Sequence, residues 1–138
     1  MIWSLFKPSP RKAAIETLYG RIAAGSREPA LYRDFGVPDT VEGRFESLTL
    51  HVFLVLRRLR SLPEPAGDVA QDLVDHTFKQ LDLALRDLGV GDLSVGKRIK
   101  KLAQAFYGRA EVYAAALDSG DDGALAAALG RNLLGGAE

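Results

Sequence analysis

The 138-residue chain contains no cysteine, which excludes a disulfide framework and any thiolate metal site and suits a reducing compartment. Only two histidines, His51 and His76, are present. They fall on separate segments, and a zinc or di-iron centre needs more inward-facing histidines or carboxylates than these segments offer. No metal or cofactor is expected. Nor is there a surplus of either charge. Eighteen basic residues balance eighteen acidic ones, whereas a general nucleic-acid binder is clearly basic, so DNA is not an expected partner. Long apolar runs are lacking too. The longest, Leu48 to Leu56, is about half of the roughly 18 residues that span a bilayer. The apolar start Met1-Ile-Trp-Ser-Leu-Phe6 is too short for a signal-peptide core, and its basic residues follow it instead of preceding it. Two readings of it stay open: an interfacial contact through Trp3 and Phe6 backed by Lys7, Arg11 and Lys12, or a flexible end that covers the core.

What is present is helical periodicity, and it predicts an all-α, single-domain bundle of about six helices spanning residues 10–134, between a flexible segment 1–9 and a tail 135–138. The first helix is expected from Ser9-Pro10 to Ala24, with Ile15, Leu18, Tyr19 and Ile22 on one face and Gly25 as C-cap. Pro29 opens a short second helix to Tyr32, and Phe35 to Thr40 form a loop broken by Gly36 and Pro38. Asp39, with Glu42 three residues on, has capping-box spacing and starts a third helix to about Ser61. The middle of that helix is apolar nearly all round, the mark of an element enclosed on several sides, so Leu54 and Leu56 are both expected in the core. Pro63 and Pro65 lead to a fourth helix, Asp68 to Leu88, striped by Val74, Phe78, Leu81, Leu85 and Leu88. Two acid-to-base pairs at i,i+4 are expected on its other face. A fifth helix runs from Ser94 to Asp118, and Asp121 or Asp122 caps a final alanine-rich helix ending at Gly135-Gly136.

Charge is segregated where the fourth and fifth helices meet. Glu64 to Asp92 carry seven acids and two bases, and Leu93 to Arg109 carry five bases and no acid. Lys97, Arg98, Lys100 and Lys101 crowd the start of a helix, where the dipole favours acids. That local cost points to an acidic partner surface or anionic lipid outside the helix. Gly91-x-x-x-x-Gly96-Lys97 imitates a phosphate-binding loop, but the next residue is Arg98 where a magnesium-holding hydroxyl belongs, and a helix precedes it where a strand is required. The glycines read instead as a helix–helix turn with Asp92 or Ser94 as N-cap. Arg57, Arg58 and Arg60 complement the C-terminal dipole of the third helix. Serines and threonines sit mainly at caps and turns, and no catalytic set emerges.

Three segments, Phe35-Gly-Val-Pro-Asp-Thr-Val-Glu-Gly-Arg-Phe-Glu46, His51-Val-Phe-Leu-Val-Leu-Arg-Arg-Leu59 and Gly89 to Arg109, together resemble the ubiquinol–cytochrome c chaperone family, assembly factors of respiratory complex III. The resemblance runs from about Leu18 to about Leu117. It implies an all-helical protein without enzymatic activity that helps newly made cytochrome b to be inserted and assembled. With little chain ahead of the first helix, it points to the bacterial form, cytoplasmic and peripheral at the inner face of the inner membrane. Ribosome contact, known for mitochondrial members, has no counterpart in these residues. The partner-binding surface expected on this reading joins Tyr32, Phe35, Val37 and Pro38 to Asp92, Lys97, Arg98, Lys101 and Tyr107. The alternative is an RNA-proximal or ribosome-associated helical binding module using the same cations, with Tyr107 available for base stacking.

Overall fold

A computed structural model describes residues 9–136. The segment expected to be flexible lies almost wholly outside them, as does the contact assigned to Trp3 and Phe6. Six helices follow in chain order: α1 (Pro10–Ser26), α2 (Pro29–Arg33), α3 (Val41–Arg60), α4 (Ala66–Asp87), α5 (Asp92–Ser119) and α6 (Asp122–Asn132). No strand occurs among the described residues. The all-α reading holds.

Most helix starts follow local chemistry. The Ser9 side chain accepts a hydrogen bond from the Lys12 amide at 3.0 Å, with Pro10 in the first turn of α1. Asp121 accepts from the Ala124 amide at 2.9 Å and opens α6. At α3 the cap is Thr40, whose hydroxyl accepts from the Gly43 amide at 3.0 Å. Asp39, the expected cap, is held outside the helix by Arg44 at 2.8 Å. A side chain on Gly43 would collide with the Pro38 carbonyl, so the entry to α3 requires glycine there. Gly25 does not terminate α1, which continues to Ser26 and stops because Pro29 forces a new start. Gly120, at φ 67°, closes α5 in the left-handed conformation that glycine adopts freely.

Packing centres on α3. It lies against α1, α4 and α5, while α6 folds back along α5. One apolar cluster joins Ile22, Val52, Leu56, Leu73, Val74 and Phe106 from four helices. A second joins Phe53, Tyr113 and Ala128, flanked by Leu117, Leu125 and Leu129. The stripe on α4 is real but lopsided. Val74 is buried, Phe78, Leu81 and Leu85 are half-buried, and Leu88 is open to solvent. Leu54 corrects the expectation of a fully enclosed α3: it is 47% exposed, while Leu56 is buried. An all-apolar run carries no direction, and here one side of it faces outward.

Candidate interaction surface

The outward side of α3 forms one wall of an open groove. Phe53, Leu54, Arg57 and Arg58 face Phe106, Tyr107, Ala110 and Ala114 of α5 across a space of about 820 Å³. The floor is apolar, and Leu54 and Tyr107, each about half exposed, stand at its mouth. Arg57, Arg58 and Arg60 form a cationic rim, with Glu111 on the α5 side. Arg57 is tied to Asp118 at 2.6 Å, and Arg58 turns toward Ser61. The Tyr107 ring packs on an aromatic group formed with Phe106 and Phe78, with centroids 5.3 and 6.4 Å away. That fixes the ring without burying it.

One ion pair governs how α5 crosses α3. Arg109 donates from Nε to both carboxylate oxygens of Glu46, at 2.6 and 2.7 Å, and from Nη2 at 2.5 Å. Glu46 is buried, and Arg109 also donates to the Ala105 carbonyl. Arg109 is therefore not part of the exposed basic patch. It straps the two helices together beside the groove. The partners are 63 residues apart, and no local spacing could have announced them.

The remaining expected site residues divide into separate places. Phe35 is 68% exposed at the end of α2. Tyr32 is half-buried, and its hydroxyl donates to the Ser26 carbonyl at 3.0 Å, a structural bond at the α1–α2 corner. Val37 must be withdrawn from any surface: it is 2% exposed, with its amide donating to the Leu31 carbonyl. Pro38 is half-buried and packs near Gly135. Asp92 neither caps α5 nor stands free. It lies in the first turn, with Gly91 as N-cap, and it accepts from Arg86. Arg86 also reaches Asp82 at 2.6 Å, and these two carboxylates raise its pKa by stabilising the charged guanidinium. Lys97, Arg98, Lys100 and Lys101 are all exposed. None takes part in an ion pair among the described residues. The outward patch inferred from charge segregation is present. No extended packing joins α2 to α5, so helix packing does not bring the loop residues and the basic turn together.

The histidines take quiet roles. His51 bonds through Nδ1 to the Ser47 carbonyl at 2.7 Å, and His76 packs edge-on against Tyr19 at 5.0 Å. Asp72, four residues before His76, pairs with Arg11 instead. Among the described residues no group of three or more histidines, aspartates or glutamates is arranged to hold a metal. No helix among them is long and apolar enough to cross a membrane.

Known proteins give this surface a context. The family model described as Ubiquinol-cytochrome C chaperone matches residues 33–138. Protein CBP3, mitochondrial, from Saccharomyces cerevisiae is 33% identical over 112 residues, which cover 76% of this chain and 32% of the yeast protein. The chain thus spans about a third of that relative's length. The crystal structure of the Cbp3 homolog from Brucella abortus superposes with a TM-score of 0.84 at 46% identity, covering 100% of this chain and 77% of that one. With the family matched over most of its length and the fold shared throughout, the chain belongs to the ubiquinol–cytochrome c chaperone family.

Proposed function

We propose that this protein is an assembly chaperone for ubiquinol–cytochrome c reductase, acting by binding and not by catalysis, and that its client is newly made cytochrome b. The observation that carries the reading is the open groove between α3 and α5, apolar along its floor and arginine-rich along one rim. A membrane subunit awaiting insertion presents apolar helices joined by charged loops. A groove of this kind takes the apolar face of such a helix while the rim meets polar groups at its end. Tyr107 stays in the proposed site, joined by Leu54 and Arg58, which replace Val37 and Tyr32.

The test is co-isolation from native membranes. Cytochrome b should accompany the wild-type chain and be largely lost with Leu54→Glu or Tyr107→Glu, both of which should melt as the wild type does. Undiminished recovery with both variants would remove the groove from the account. Absence of cytochrome b from the wild-type sample would remove the client.

A further inference from the structure

The turn between α4 and α5 has properties that the groove does not explain. Leu88 is 64% exposed and Leu93 94% exposed. They flank a turn that is open among the described residues: a methyl group added at Gly89 or Gly91 would meet no atom beyond its own neighbours within 4 Å. Val95 on the inner face of α5 is buried. At 100° per residue, Leu93, Lys97 and Lys100 are turned roughly 140–160° away from it and Lys101 about 120°, whereas Arg98 is only about 60° away. Apolar and cationic side chains therefore leave the molecule on the same side.

The charge at this end is positive even after its acids are counted. Asp82 to Lys101 hold five cations and three acids. Asp82 and Asp92 are both engaged by Arg86, which leaves Asp87 against Lys97, Arg98, Lys100 and Lys101. Leucines at a tip and lysines just behind them match a bilayer interface, where apolar side chains enter the headgroup boundary and long basic ones reach lipid phosphates. An RNA strand would use the cations but leave Leu88 and Leu93 idle, and base stacking wants aromatics. The exposed Tyr107 lies about two helical turns beyond Lys100.

We propose that the α4–α5 turn docks this protein reversibly on anionic phospholipid, with Leu88 and Leu93 at the acyl boundary and Lys97, Lys100 and Lys101 at the phosphates. This does not depend on the identity of the client. The experiment is sedimentation of the full chain with phosphatidylcholine vesicles, with and without phosphatidylglycerol. It is paired with the fluorescence of Leu93→Trp in a Trp3→Phe background. The chain should pellet with the phosphatidylglycerol vesicles and not with phosphatidylcholine alone. Leu88→Ser with Leu93→Ser should lower that partitioning by about tenfold or more, and Lys97→Glu with Arg98→Glu and Lys101→Glu should abolish it. Emission of the Leu93→Trp variant should shift to the blue on anionic vesicles alone, a reading taken with the turn's cations intact. Failure of the wild type to pellet, wild-type partitioning by both variants, or unshifted emission overturns the proposal. Loss of RNA-oligonucleotide binding in the charge variant, without vesicle binding by the wild type, overturns it in favour of nucleic acid.

Discussion

Leu54 and Leu56 are two residues apart on one helix and do opposite things. Leu56 is enclosed by four helices, so Leu56→Ala removes buried methyl groups and leaves a cavity, costing about 2–5 kcal/mol. Leu54→Ala should stay within about 0.5 kcal/mol, because its side chain already meets solvent. Urea denaturation of the pair distinguishes a groove wall from a core residue. Glu46 is the second decisive residue. Glu46→Ala leaves Arg109 without its carboxylate and should cost about 2–3 kcal/mol by the same measurement. Combined with Arg109→Leu, the loss should be smaller than the sum of the two single losses.

Tyr113 is the third. It is wholly buried, and its hydroxyl has no partner of hydrogen-bonding geometry among the described residues, although Asn132 lies near. Burial pushes its pKa above the ordinary tyrosine value. The folded state thus holds this proton more tightly than the unfolded chain does. Its contribution is fully present below about pH 10 and is lost as pH rises through and beyond that value. Tyr113→Phe keeps the ring against Phe53, with centroids 5.7 Å apart in the native pair. It should be neutral or up to about 1 kcal/mol more stable at pH 7, and its stability should fall less steeply above pH 10.

At the scale of elements, the sequence carried the helices far better than their relations. Apolar periodicity and capping chemistry were enough for six helices and for a last cap at Asp121 or Asp122, of which Asp121 takes the role. Asp39 failed as a cap because Thr40 competes one residue later and Arg44 draws the carboxylate away. The groove was not legible, because the all-apolar run of α3 does not say which side is left open. The Glu46–Arg109 strap was invisible because it depends on a contact between segments far apart in the chain. The basic patch near the start of α5 was legible, since four cations at a helix N-terminus oppose the dipole whatever surrounds them, but its cap was not: Gly91 takes the place expected of Asp92 or Ser94. Reversing Lys97, Arg98 and Lys101 to glutamate should therefore leave the melting temperature unchanged or slightly raised. A clear fall would mean that these side chains support the helix hairpin.

For the molecule as a whole, a net charge of zero conceals an uneven surface. One end, at the α4–α5 turn, presents leucines and unpaired cations. The flank between α3 and α5 presents an apolar groove with arginines, and the buried apolar side chains gather in two clusters. A chaperone that meets its client at a membrane needs two such surfaces, one for the bilayer and one for the unassembled subunit. The groove is the central claim. Its most direct measurement is site-specific photo-crosslinking in cells that are synthesising cytochrome b, with the reactive residue placed at Leu54 in the groove or at Val112 on another exposed face of α5. An adduct with cytochrome b is expected from position 54 and none from position 112. Equal adducts from both positions, or none from position 54 while the client still co-isolates, would contradict that claim.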